Sequence, residues 1–265
     1  PQSEYIQRRI DLVVGKTPYE AITLSINYKL SAKLKNKNKS KKDKTTKNYD
    51  RGDLTYDVQK GYLKVVPFGN ERAYEIMPPM CLKITIQAVS DKDGICNLAS
   101  HPYFCLDDSG DISAHELQIN AKHYLPVNDL SIPTGEINAV SNSRFDFLRP
   151  RKLTQIVAGR QAPIDHNFCL SETQTTLREV ATLSSSLSNI TLTVSTTEAG
   201  LQFYTGHHLS ATPDGYNKRT YKPFSGLCLE PQAWPDAPNQ KGFPSIFLPA
   251  NTPYQQISCF EFNMK

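Results

Sequence analysis

Apolar residues recur along this chain in short runs with a period of two, and hardly anywhere at the 3.6-residue spacing of a helix. Between Ala21 and Leu30 they fall at Ile22, Leu24, Ile26, Tyr28 and Leu30, the alternation of a half-buried strand. A shorter apolar run covers Ile10–Gly15. From Leu63 onward strand signals dominate: Leu82–Val89, Glu116–Ala121, Ile190–Ser195 and Leu201–Tyr204 alternate or are β-branched, with turn residues between them. Eighteen prolines and thirteen glycines break the chain too often for long helices, and no segment over about twelve residues keeps a helical period. Many short strands with frequent turns predict an all-β fold, a sandwich or barrel of antiparallel strands. At 265 residues the chain is expected to form a single domain over 1–265.

One segment departs from this pattern. Residues 31–50, SAKLKNKNKSKKDKTTKNYD, have almost nothing to bury and are expected to form a solvated loop. Eight lysines between Lys33 and Lys47, offset there only by Asp43, carry +7 of a net +4, which leaves −3 for the rest of the chain. The bulk of the protein therefore offers no broad basic face to nucleic acid, and no aromatics interleave the lysines to stack bases. No run approaches the eighteen or so apolar residues of a membrane span, and the first nine residues are polar, which predicts a cytoplasmic protein. The six cysteines are scattered without a C-x-x-C pair or zinc-finger spacing, as expected of reduced, mostly buried thiols rather than a disulfide framework or a metal site.

Candidate chemistry is sparse. His101 lies in Ser100-His101-Pro102-Tyr103-Phe104, after a strand signal and before an Asp/Ser/Gly loop, where it could face a cleft or be a satisfied histidine. Asp165-His166 opens a strand-like segment, as a turn with a bonded carboxylate or as a catalytic pair. Glu230 interrupts the apolar run Leu227, Cys228, Leu229 and precedes a proline-rich loop holding the only tryptophan, Trp234. A carboxyl among apolar residues has a raised pKa suited to a general base, unless it points to solvent on an alternating strand. No G-x-S-x-G and no glycine-rich phosphate loop is present.

Taken in order, these segments resemble the aldose 1-epimerase (galactose mutarotase) family. SHPYFCL (100–106) is similar to the family's N-H-x-Y-F-N-L, and His115–Ile137 to a stretch ending Y-L-P-V-D-x-x-x-I-P-T-G. FDFLRP (145–150) resembles F-D-F-R-x-P, IDHNF (164–168) resembles Y-D-H-N-F, and LQFYTGHHL (201–209) resembles L-Q-x-Y-T-G-N. GLCLEPQAWPDAPNQKGFP (226–244) parallels G-x-x-L-E-x-Q-x-x-P-D-x-x-N-x-x-x-F-P. The six matches are collinear from about Leu82 to the end of the chain.

The resemblance implies a large antiparallel β-sandwich, the galactose mutarotase-like supersandwich, with an open cleft. It implies mutarotation of free aldohexoses, with His101 as the acid at the ring oxygen and Glu230 as the base at the anomeric hydroxyl. Asp165 and Gln202 match residues that hydrogen-bond the sugar. No metal or cofactor is implied, because His and Glu of moderate pKa can move both protons of hemiacetal opening. The expected partner is a small sugar, with neither nucleic acid nor membrane, and the chain a monomer or homodimer. Ser100 and Cys105 stand where the family has Asn, no histidine precedes His101, and the family's upstream N-R-I and L-H-G-G segments have no counterpart. The front of the domain is thus read as shortened or divergent. A non-catalytic carbohydrate-binding relative is the alternative, and a scaffold for the basic loop a third reading.

Overall fold

A computed structural model describes residues 80–155, 163–209 and 220–264, together with the backbone of strands at 8–13, 23–28, 55–57, 62–65 and 70–77. The lysine tract at 31–50 lies outside the described residues. Helical structure among the described residues is confined to one-turn 3-10 pieces at Leu153–Gln155 and Ala237–Asn239, in keeping with the proline and glycine content. No helix among them is long and apolar enough to cross a membrane.

Two sheets form the sandwich. One has eight strands in the order β11 (Asn138–Ala139), β10 (His123–Tyr124), β13 (Asp165–Cys169), β16 (Gly200–Tyr204), β17 (Leu227–Gln232), β8 (Tyr103–Phe104), β1 (Arg8–Val13) and β2 (Thr23–Tyr28). The other has nine, in the order β12 (Arg151–Lys152), β9 (His115–Ile119), β14 (Arg178–Ser185), β15 (Ile190–Thr196), β19 (Tyr254–Met264), β6 (Cys81–Ala88), β5 (Asn70–Met77), β4 (Tyr62–Val65) and β3 (Thr55–Asp57). A ribbon of β7 (Gly94–Ile95) and β18 (Phe247–Leu248) stands apart. All pairings are antiparallel except the single contact of β1 with β8. The alternating segments 82–89, 190–195 and 201–204 fall on β6, β15 and β16, and 116–121 overlaps β9.

The sheets meet through the apolar half of each alternation. Leu82, Ile84 and Ile86 of β6 and Leu192 and Val194 of β15 face Phe168, Leu201, Phe203, Leu227 and Leu229 of the eight-stranded sheet in one buried cluster. Phe104 and Phe260 bridge the layers with ring centroids 5.3 Å apart. Each of these large side chains stabilises the fold by roughly 1.5–3 kcal/mol on leaving water. Because inward and outward residues alternate, the same three strands β13, β16 and β17 turn their other side chains away from this core. Asp165, Asn167, Gln202, Tyr204, Cys228 and Glu230 all lie on that second face.

Candidate functional site

Strand register assembles the site. Asn167, Gln202 and Glu230 are direct cross-strand neighbours, as are Asp165, Tyr204, Cys228 and Tyr103. Asp165, Asn167, Gln202 and Glu230 of these rows line a cavity of about 220 Å³ together with His101, Gln232, Val127, Ser131, Pro133 and Pro235. That is smaller than a drug-sized pocket and suits a compact polar ligand. The four sequence-derived candidates, His101, Asp165, Gln202 and Glu230, therefore converge on one cavity.

His101 does not follow a strand end. It sits in an irregular stretch between β7 and β8, and the chain on both sides is pinned. Asn97, four residues earlier, exchanges two hydrogen bonds with the backbone of Ala233, its Nδ2 donating to the carbonyl at 3.1 Å and its Oδ1 accepting the amide at 3.0 Å. This ties the approach to His101 to the loop leaving Glu230. On the other side the Leu106 amide donates to Nε2 of buried His115 at 2.8 Å. Sequence reading passes over Asn97 because nothing local points from it to residue 233.

His101 Nε2 lies 3.5 Å from Glu230 Oε1. Glu230 is only 6% exposed, and burial, reinforced by the charge of Asp165, pushes its carboxyl up from 4.5 to about 8. Burial lowers His101 below its ordinary 6.5, opposed by a hydrogen bond to its own carbonyl and by Asp165. At neutral pH the pair thus holds one proton, resting on Glu230 and within reach of Nε2; such coupled groups titrate as a unit. Gln202 Nε2 donates to Asp165 Oδ1 at 2.6 Å, which fixes the carboxylate at the cavity wall. Gln202 Oε1 and both amide atoms of Asn167 are buried without a hydrogen-bond partner, polar capacity held at the cavity floor. Asn167, Tyr204 and Cys228 are site residues that sequence reading misses; the period-two spacing from Asp165, Gln202 and Glu230 is the signal that could find them.

Two groups among the described residues bring three metal-binding side chains together: His101, Cys228 and Glu230, and Cys105, Asp107 and His115. Neither is arranged as a metal centre. In the first, the thiol faces Nδ1 of His101 and the carboxyl faces Nε2, so the two approach opposite ring nitrogens. In the second, His115 Nε2 accepts the Leu106 amide, which leaves the ring proton on Nδ1, 3.8 Å from Asp107 Oδ2. A metal there would require an imidazolate. What the cavity offers is an acid/base pair beside fixed hydrogen-bonding groups.

The chain is similar to known proteins over most of its described length. A family model described as Aldose 1-epimerase matches residues 73–259. Galactose mutarotase from Rattus norvegicus is 38% identical over 186 residues, 69% of this chain and 54% of that protein. Aldose 1-epimerase from Haemophilus influenzae is 35% identical over 173 residues, 63% of this chain and 50% of that protein. The chain spans about half the length of the curated relatives it matches. The crystal structure of an aldose epimerase homologue from C. elegans superimposes with a TM-score of 0.71 at 24% identity, covering 82% of this chain and 69% of that one, which shows a common fold.

Proposed function

The chain belongs to the aldose 1-epimerase family, and from that premise we propose that it interconverts the α and β anomers of free aldohexoses such as galactose and glucose. The observation that carries this reading is the His101 Nε2–Glu230 Oε1 approach of 3.5 Å inside the cavity. Opening a hemiacetal removes a proton from O1 and adds one to O5, and reclosure on the other face of C1 reverses both transfers. The reactive form is the one in which the shared proton has passed from Glu230 to His101. Glu230 then takes the O1 proton while His101 protonates O5, and the roles reverse on closure. Each positioned group supplies about 10²–10⁴-fold. Asp165 and Gln202 hold the sugar hydroxyls. No step calls for a metal or an electron carrier.

The proposal extends to a monomer or homodimer in the cytoplasm. Burial keeps the thiols of Cys81, with help from neighbouring Cys259, and of Cys169 protonated, lifting both to about 12. Polarimetry of freshly dissolved α-D-galactose and α-D-glucose tests the activity: the protein is expected to hasten the approach to equilibrium rotation, and an unchanged rate overturns the reading. Ser100 and Cys105, which stand where the family's motif around the histidine has Asn, favour a second reading, a carbohydrate-binding relative without turnover. Calorimetric sugar binding with no rotational acceleration would establish that one instead.

A further inference from the structure

Cys228 is fully buried, lies on the cavity face of β17 two residues before Glu230, and has its sulfur 3.3 Å from His101 Nδ1. We propose that Cys228 is a positioning residue: its sulfur accepts the Nδ1–H of His101 and so leaves Nε2 as the free lone pair that faces Glu230 and the sugar. This rests on the mutarotase reading for its catalytic consequence, though not for the tautomer itself.

Three contacts decide which ring nitrogen carries the proton. The ring also hydrogen-bonds its own backbone carbonyl, on the Nδ1 side, so that carbonyl and the sulfur share the Nδ1–H. The Tyr103 hydroxyl is hydrogen-bonded to the Cys228 thiol, which gives the S–H a partner other than Nδ1. Glu230, protonated at neutral pH, needs an acceptor for its O–H, and Nε2 is 3.5 Å away. All three are met together when Nδ1 is protonated and Nε2 is not. The opposite tautomer would set Nε2–H against a protonated carboxyl and leave the His101 carbonyl without its donor. Tyr103, 5.0 Å away centroid to centroid, and Tyr204 at 6.1 Å confine the ring between them, so the bond to sulfur sets its rotation as well. Cys228 thus does for His101 what an orienting acceptor does in any base-plus-orienter pair. A neutral thiol does it without adding a second negative charge beside Asp165.

Nitrogen-15 spectra of histidine-labelled, sugar-free protein at neutral pH read the tautomer directly. A protonated-type shift for His101 Nδ1 and an unprotonated-type shift for Nε2 are expected; the reverse pattern overturns the inference whether or not the protein turns over sugar. Cys228→Ala, which leaves the Nδ1–H only its own carbonyl, should raise the Nε2–H fraction and lower kcat for α-D-galactose roughly tenfold, about the worth of one neutral hydrogen bond, with KM within about twofold. Cys228→Ser, which keeps an acceptor, should recover most of that rate. An alanine variant with the wild-type nitrogen spectrum and wild-type kcat would overturn the proposal.

Discussion

Replacing Glu230 by Gln should make the protein more stable at neutral pH while removing the proposed mutarotase activity. The cause is proton linkage. In the folded protein the carboxyl ionises only near 8, because burial and then the Asp165 charge disfavour its anion, whereas in the unfolded chain it ionises at its ordinary 4.5. Between those values the unfolded chain gives up a proton that the folded protein keeps. Stability therefore falls as pH rises through that window, by about 1.4 kcal/mol per pH unit. By pH 7 the carboxyl has withdrawn about 3 kcal/mol from the fold, the product of roughly two and a half pH units and that slope.

The neutral amide of the Glu230→Gln protein would carry no such penalty. It still offers His101 a donor, and burying it costs about 1 kcal/mol. The net gain at pH 7 is about 2 kcal/mol, or roughly 4–8 °C in Tm for a chain of this size. At pH 5 the linkage contribution is below about 1 kcal/mol and the two proteins should melt together. Thermal denaturation at pH 5, 6 and 7 reads the widening gap. Polarimetry with α-D-galactose should show a loss on the order of 10²–10⁴-fold, because Gln keeps the shape and cannot take a proton. A gap that stays constant from pH 5 to 7, or a variant less stable than wild type at pH 7, would mean that Glu230 is ionised in the fold and paired with His101⁺. Retained activity would mean that another base operates.

Mutarotation should be bell-shaped in pH: above about 8 the pair loses its one proton, and below the lowered His101 value, under 6.5, it holds two, so kcat measured from pH 5 to 9.5 should fall on both sides. His166, packed against Phe145 with centroids 4.6 Å apart, is held down to about 4, mainly by burial, then by Arg144 and His207. The unfolded chain binds that proton from about 6.5 downward, so stability should drop by about 3 kcal/mol as pH falls from 6.5 to 4, and urea titrations of His166→Phe should show a flatter profile. Gly206→Ala should cost roughly 2–4 kcal/mol in the same assay, since φ there is +67° and a Cβ would collide with the Gly226 carbonyl oxygen; a midpoint within error of wild type would contradict this.

The strands legible in the sequence are those with one wet face. β6 and β15 keep strict alternation because each turns one side to the core, and a period of two is then visible in the residues themselves. β17 is buried on both faces, so Leu227, Cys228 and Leu229 read as a plain apolar run, and Glu230 could not be told from a surface carboxylate. Only its pairing with Gln202, and the pairing of Gln202 with Asn167, turns it inward on the cavity. Those pairings join positions 28 and 35 residues apart and leave no local mark. His101 is harder still, because its position depends on Asn97 reaching Ala233 across 136 positions rather than on the end of a strand. The collinear motifs name His101 and Glu230 without that geometry. What motifs cannot carry is the proton count, since the raised Glu230 and lowered His101 values come from neighbours that sequence does not place side by side. A thiol two residues from a carboxyl on one pleat is an ordinary spacing. It acquires meaning only when β8 brings Tyr103 beside Cys228 and the loop before it brings His101 to that sulfur.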